Sequence, residues 1–202
     1  MLRSRHSRRF AIVLGLLALG SAGGGLGYFL RRPGSLVLPP LTAQASEPRC
    51  PPVSAAVLGI EVGPSVGQRA PDFSLPDLSS NPVALSSFRG CVVILDFWAS
   101  WCKPCQHTLP KLEALRQKHA PRGLKVVAVS LDYRREDAVR FLEANGYRSF
   151  VVLWAPFAET RAVARLFGVE AIPRAVLLDR QGVIRFVGHP QDLTDDVLAP
   201  WL

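Results

Sequence analysis

Four short apolar runs constrain the fold of this 202-residue chain more than any other feature of the sequence. Each run has the length of a buried strand, and the first three have the nearly continuous apolar composition expected of a strand in a parallel sheet. The runs are VVILDFWA (92–99), LKVVAVSLD (124–132), FVVLWA (150–155) and RAVLLD (174–179). Segments with helical periodicity separate them, at 106–119, 136–145 and 159–167. Strands that alternate with helices predict an α/β fold in which helices cover both faces of a mostly parallel sheet.

Two segments predict antiparallel hairpins at the ends of this pattern. The first is DFSLPDLSSNPVALSSF (72–88), before the first long strand, and the second is RAVLLDRQGVIRFVGH (174–189), with an Arg-Gln-Gly turn. The final segment, LTDDVLAPWL (193–202), predicts a short helix capped by Thr194. We therefore expect one domain over residues 66–202, with an N-terminal hairpin and a central mixed sheet flanked by helices.

An uncharged apolar segment, FAIVLGLLALGSAGGGLGYFL (10–30), lies near the N-terminus. As a helix it would span roughly 31 Å, the thickness of a bilayer core. Four arginines within residues 1–9 predict a cytoplasmic n-region and an exported remainder. The segment is either a transmembrane anchor in the cell inner membrane, which Arg31 and Arg32 favour, or a signal peptide cleaved near Ser21, which would release the protein into the periplasm.

The basic charge of the chain is concentrated at this end. The formal net charge is +8, but six arginines precede residue 35 and no acidic residue does. The remainder has 18 basic and 16 acidic residues, so we predict no nucleic-acid partner. Residues 31–65, rich in Pro, Ala and Ser, predict a tether between the apolar segment and the domain.

Cys102 and Cys105 lie where the first long strand gives way to a helix. Residues three apart share a helix face, close to disulfide distance. The helix N-terminus and the neighbouring cation of Lys103 favour a thiolate at Cys102. Pro104 suits the first turn of the helix, because an N–H at that position would have no helical partner and its absence costs no hydrogen bond. Cys102 is therefore the predicted nucleophile, and Cys105 the residue that resolves its mixed disulfide.

A zinc site and a purely structural disulfide are the alternatives for this cysteine pair. A zinc site needs four ligands and one C-x-x-C supplies two, so we predict no metal and no other cofactor. A structural disulfide that closes so small a loop would restrict the unfolded chain very little. The redox interpretation is therefore favoured.

The segment DFWASWCKPCQ (96–106) resembles the W-C-x-P-C active site of thioredoxin-fold proteins. Three more features match that fold: a kinking proline, a loop that presents a cis-proline and a closing hairpin with a glycine, at Pro110, Pro173 and Gly188. Residues 69–99 resemble the opening of TlpA/ResA-like redoxins, which are exported, membrane-tethered thiol–disulfide oxidoreductases that include cytochrome c maturation reductases. Residues 134–154 are similar in size to the central helix–strand insertion of that branch.

The resemblance implies roles for residues around the cysteines. A cis bond before Pro173 would leave the Ile172 backbone free to pair with an extended substrate segment, and Trp101 would shield the site. Asp96 would lie buried beneath the pair, with a raised pKa, and accept the Cys105 proton. The alternative for Asp96 is a strand-end carboxylate satisfied by hydrogen bonds.

Three departures from the family pattern are visible. Ala128 occupies the position where many relatives carry a lysine facing the buried acid, and Arg174 replaces the usual threonine after the cis-proline. Arg174 is either a second cation near Cys102, a contact that selects acidic substrate segments, or a solvated loop charge. Cys50 and Cys91 are additional, and either form a disulfide or leave Cys91 as an inert core residue.

The expected function is that of an extracytoplasmic reductase of disulfides in exported proteins, either in cytochrome c maturation or at metal-site cysteines. A membrane electron donor would restore the dithiol. The alternative is a copper chaperone or copper-site assembly factor that uses the same cysteine pair, and peroxidase chemistry is a weaker third. The sequence leaves the client, the donor and the reductase or oxidase direction open.

Overall fold

The computed structural model describes residues 50–51 and 59–202. The predicted n-region, the apolar segment and most of the tether (1–49 and 52–58) lie outside the described residues. Among the residues described, no helix combines the length and the apolar character that a membrane span requires.

A five-stranded mixed sheet forms the centre of the domain. Its strand order is β5-β4-β3-β6-β7, with β3, β4 and β5 parallel and with β6 antiparallel to both β3 and β7. A separate two-stranded hairpin, β1-β2, precedes it. The strands are β1 (Ser74–Pro76), β2 (Pro82–Ala84), β3 (Val92–Trp98), β4 (Leu124–Ser130), β5 (Val151–Leu153), β6 (Arg174–Leu178) and β7 (Ile184–Gly188). The predicted mixed sheet and both predicted hairpins are confirmed.

Four helices complete the described part of the domain: α1 (Lys103–His119), α2 (Arg135–Asn145), α3 (Phe157–Leu166) and α4 (Asp195–Leu198). The segment formed by α2 and β5 is the predicted central helix–strand insertion, and it places β5 at the sheet edge beside β4. Short 3₁₀ turns lie at Leu85–Phe88, Ala120–Arg122 and Pro190–Asp192.

The core lies on both faces of β3, and every residue of this strand is buried. Successive side chains of a strand point to opposite faces. Phe97 packs on Phe167 at the end of α3, with ring centroids 5.7 Å apart, whereas Trp98 packs on Phe141 of α2 at 5.5 Å. Helices α2 and α3 therefore cover opposite faces of the sheet, which explains why β3 is almost continuously apolar.

The predicted cap of the last helix requires a correction. Thr194 occupies the N-cap position of α4, but its side chain makes no capping hydrogen bond. The Asp195 carboxylate instead bonds to Lys118 at 2.7 Å and His119 at 2.6 Å, both in the last turn of α1. These bonds hold α4 against α1 without a side-chain cap.

Candidate active site

Cys102 and Cys105 form a disulfide where β3 leads into α1, with Cα atoms 5.2 Å apart. Cys102 is the N-cap of α1, and its sulfur accepts a hydrogen bond from the Cys105 N–H at 3.2 Å. When the pair is reduced, this donor and the helix dipole favour a Cys102 thiolate. Cys102 is 5% exposed and Cys105 is fully buried, so Cys102 is the cysteine that a partner reaches first.

The residues between the cysteines lie as the sequence predicts. Lys103 and Pro104 are both exposed, and Pro104 occupies the first turn of α1, where a missing N–H leaves no helical bond unmade. The influence of Lys103 on the Cys102 thiol remains a prediction.

The bond between Ile172 and Pro173 is cis, and it precedes β6 directly. Strand β6 pairs with β3, with Arg174 opposite Phe97, so the cis-proline lies beside the end of β3 that leads to the cysteines. In the described part of the chain, Ile172 makes no main-chain hydrogen bond. Its backbone is therefore free to pair with an extended segment of another protein, as the resemblance implies.

Trp101 and Ile172 line one surface groove of about 400 Å³ next to the disulfide. Trp101 is 54% exposed, and Phe157 and Arg161 of α3 also line the groove. Tyr133, 68% exposed, stacks on Phe157 with ring centroids 4.7 Å apart. These aromatic residues from outside the motif form an exposed apolar surface beside the groove, and no motif in the sequence marks them.

Asp96 is fully buried in the middle of the sheet. It lies opposite Ala128 on β4, as predicted, and opposite Ala175 on β6. Neither carboxylate oxygen has a hydrogen-bond partner among the described residues, so the alternative of a satisfied strand-end carboxylate is not supported. Burial raises the pKa of Asp96 from 3.8 to about 8. This value is close to the ordinary pKa of a thiol, so proton exchange with Cys105 would be nearly balanced.

Arg174 begins β6 and is only partly exposed. Its Nε is buried and has no hydrogen-bond partner in the described structure, which disfavours the interpretation of a solvated loop charge. Whether this guanidinium stabilises the Cys102 thiolate or selects acidic client segments stays a prediction.

The Asp132 carboxylate holds the loop that leads to Cys102, a role that the sequence analysis missed. Asp132 is fully buried, and it accepts hydrogen bonds from the Ser100 N–H at 3.0 Å, the Ser100 hydroxyl at 2.6 Å and the Ser130 hydroxyl at 2.8 Å. Gln106 of α1 donates to the Ser100 carbonyl at 2.6 Å. The signal in the sequence was an acid at the end of a buried strand.

Cys50 and Cys91 form a second disulfide, with Cα atoms 4.9 Å apart, which confirms one of the two sequence interpretations. Cys91 precedes β3, whereas Cys102 follows it. The second disulfide therefore joins the tether to the end of the strand that lies away from the redox pair.

Comparison with known proteins gives consistent matches. The AhpC/TSA family matches residues 66–187. The thioredoxin-like protein YneN of Bacillus subtilis is 36% identical over 127 residues, which are 62% of this chain and 72% of that protein. The thiol-disulfide oxidoreductase ResA of Geobacillus thermodenitrificans is 31% identical over 121 residues, 60% of this chain and 67% of that protein.

Solved structures show the same fold. A protein from Chlorobium tepidum, provisionally named thiol:disulfide interchange protein DsbE, is 40% identical with a TM-score of 0.54, over 60% of this chain and 82% of that one. The thioredoxin domain of a thiol-disulfide oxidoreductase from Bacteroides vulgatus is 28% identical with a TM-score of 0.57, over 67% of this chain and 94% of that one.

Proposed function

The chain belongs to the AhpC/TSA family, and on that premise we propose that it is a membrane-tethered, extracytoplasmic reductase of protein disulfides. It is a thiol–disulfide oxidoreductase of the thioredoxin superfamily. The observation that carries the proposal is the position of the Cys102–Cys105 pair at the start of α1, next to the groove that Ile172 and Trp101 line.

The reaction follows from this geometry in two steps. The Cys102 thiolate attacks one sulfur of a client disulfide, which forms a mixed disulfide and releases the first client thiolate. Cys105 then loses its proton to the ionised form of Asp96 and attacks the Cys102 sulfur, which releases the second client thiolate and forms the Cys102–Cys105 disulfide. The client gains two electrons and the cysteine pair loses two. A membrane donor returns two electrons to the pair.

Three arguments support the direction, the location and the class of client. An exported compartment already holds strong oxidants, so a specific protein there is more useful as a reductant. The arginine-flanked apolar segment 10–30 would hold the protein near a membrane donor. Unpaired cysteines are needed in exported proteins that attach haem or bind metals, so their oxidised precursors are the proposed clients.

Trapping with Cys105→Ser tests the proposal. Without the resolving thiol, attack by Cys102 stops at the mixed disulfide. We expect exported proteins to co-migrate with the variant on a non-reducing gel and to be released by dithiothreitol, whereas the double variant Cys102→Ser/Cys105→Ser captures none. Absence of any captured exported protein would contradict the proposal. Stoichiometric Cu(I) binding without reduction of disulfides would instead favour the copper-site alternative.

A further inference from the structure

Arg161, on α3, makes two hydrogen bonds to consecutive carbonyl groups of the loop before the cis-proline. Its Nη1 donates to the Val169 carbonyl at 2.8 Å, and its Nη2 donates to the Glu170 carbonyl at 3.2 Å. A guanidinium presents its donors in a rigid planar fork, which suits two neighbouring acceptors. The side chain of Arg161 thus joins α3 to the segment that ends at Ile172 and Pro173.

This segment has few other attachments in the described structure. The Val169 N–H donates to the Ala164 carbonyl at 2.9 Å, and sheet pairing resumes only at Arg174. Among the described residues, the only hydrogen bond to the main chain of residues 170–173 is the one that the Glu170 carbonyl accepts from Arg161. The path of Ile172 is therefore set from one side by the sheet and from the other by the Arg161 guanidinium.

Arg161 also lies at the groove itself, together with Trp101, Phe157 and Ile172. A client segment that pairs with the Ile172 backbone meets a loop already held in place, so the loop does not have to be ordered during binding. A small disulfide can react with Cys102 without contacting Ile172. Its rate of reduction therefore does not depend on whether the loop before Pro173 is held in place.

We propose that Arg161 is a positioning residue for client recognition, which holds the Val169 and Glu170 carbonyls so that Ile172 presents its backbone to an extended polypeptide disulfide. The inference rests on the proposed function and narrows its substrate class to polypeptides that form strand-like pairing at Ile172. Arg161 acts through the loop and takes no part in the exchange of sulfur bonds.

The test compares two probes with the reduced full-length chain: a pair of short synthetic peptides joined by one disulfide, and bis(2-hydroxyethyl) disulfide. For Arg161→Gln we expect the half-saturating peptide concentration to rise about tenfold, with the limiting rate within about twofold of wild type. The rate with the small disulfide should not change.

Two further variants serve as comparisons. Arg161→Lys keeps the charge but lacks the planar pair of donors, and should show an intermediate rise in the half-saturating peptide concentration. Arg165→Gln, at an exposed arginine one turn later on α3, is the matched control and should behave as wild type.

Equal losses with both probes would show general damage to the site and would overturn the inference, as would an unchanged half-saturating concentration for the peptide. Amide hydrogen exchange gives a readout that does not need activity. We expect the Val169 amide, which donates to the Ala164 carbonyl at 2.9 Å, to exchange about tenfold faster in Arg161→Gln than in wild type, and equal exchange would also overturn the inference. If the wild type reduces neither probe, the proposed function has failed, and the exchange result still decides whether Arg161 holds the loop.

Discussion

Asp96 lies in the sheet between two alanines, Ala128 and Ala175, and desolvation is the cause of its raised pKa. A lysine at position 128 would favour ionisation of the carboxyl group, whereas alanine leaves the acid mostly neutral near pH 7, with about a tenth of the molecules ionised and able to accept a proton. A carboxyl group that titrates at about 8 takes up the proton of an attacking thiol and releases it again with little change in free energy.

This pKa makes the stability of the oxidised protein depend on pH. The pKa of Asp96 is about 8 in the folded protein, whereas its ordinary value is 3.8. Between pH 3.8 and about pH 8, the unfolded chain has therefore released a proton that the folded chain keeps. Stability therefore falls as the pH rises through this window, by up to about 1.4 kcal/mol per pH unit. We expect Asp96→Asn, which cannot ionise, to be about 2–4 kcal/mol more stable than wild type at pH 7 and nearly equal to it at pH 4. Urea unfolding at both pH values measures the difference.

Asp179→Asn is the matched control, because Asp179 is also buried but has partners. Its carboxylate accepts from the Gln181 and Val183 N–H groups at 2.9 Å and from Arg185 at 2.7 Å. We expect this variant to lose stability at pH 7. Parallel pH profiles for wild type and Asp96→Asn would contradict the account of Asp96.

The sequence predicts the residues of the motif better than those that support it. Cys102, Cys105 and Asp96 stand out because reactive side chains interrupt an apolar run or follow it directly. The partner opposite Asp96 on β4 could be predicted from the resemblance, but Ala175 required the register of β6. The contact of Arg161 with the loop at 169–170 could not be predicted, because it depends on how α3 sits over that loop.

At the scale of elements, the loop between β3 and α1 sets the position of Cys102, the proposed nucleophile. The Asp132 carboxylate accepts three hydrogen bonds from side chains and main chain at Ser100 and Ser130. The end of β4 thereby fixes the loop that carries Trp101 and Cys102.

Asp132→Asn should loosen this loop. The amide has a single carbonyl oxygen and an NH₂ group that cannot accept, so at least one donor from Ser100 or Ser130 loses its partner. We expect a loss of about 1–3 kcal/mol in the free energy of unfolding and faster exchange of the Ser100 amide, which donates to Asp132 at 3.0 Å. Asp192→Asn, at an exposed acid in a 3₁₀ turn, should change stability by less than about 0.5 kcal/mol. Exchange of the Ser100 amide equal to that of wild type would contradict the role of Asp132.

The elements themselves were largely predictable, and their ends were not. Alternating apolar runs and helical segments predict the mixed sheet because burial imposes a different period on each type of element. Helix α1 begins at Lys103 rather than at the predicted Gln106, because Pro104 is compatible with the first turn of a helix. Helix α3 begins at Phe157 rather than at Glu159, directly after Pro156.

At the scale of the whole molecule, the second disulfide ties the tether to the domain. A Cβ atom at Gly90 would lie 1.7 Å from the Pro51 carbonyl oxygen, and the φ of Gly90 is +95°. Only glycine therefore fits where the chain after Cys50 crosses the start of β3. The Cys102–Cys105 pair lies at the other end of β3, away from this attachment.

Cys50→Ser/Cys91→Ser should destabilise the domain without affecting its chemistry. The disulfide spans 41 residues of sequence, and restriction of the unfolded chain by a loop of this size stabilises the fold by about 2–4 kcal/mol. Urea unfolding measures the loss. The rate with bis(2-hydroxyethyl) disulfide should remain within about twofold of wild type, and a large loss of that rate would show that the second disulfide takes part in the redox reaction.

The reduction potential of the Cys102–Cys105 pair tests the central claim most directly, because a reductase must be able to give its electrons to client disulfides. Equilibration of the full-length chain with dithiothreitol buffers, followed by alkylation and mass mapping, separates this pair from Cys50–Cys91. We expect a potential between about −200 and −300 mV, in the range of glutaredoxins and thioredoxin. A potential between about −180 and −120 mV, in the range of disulfide isomerases and strong oxidases, would contradict the central claim.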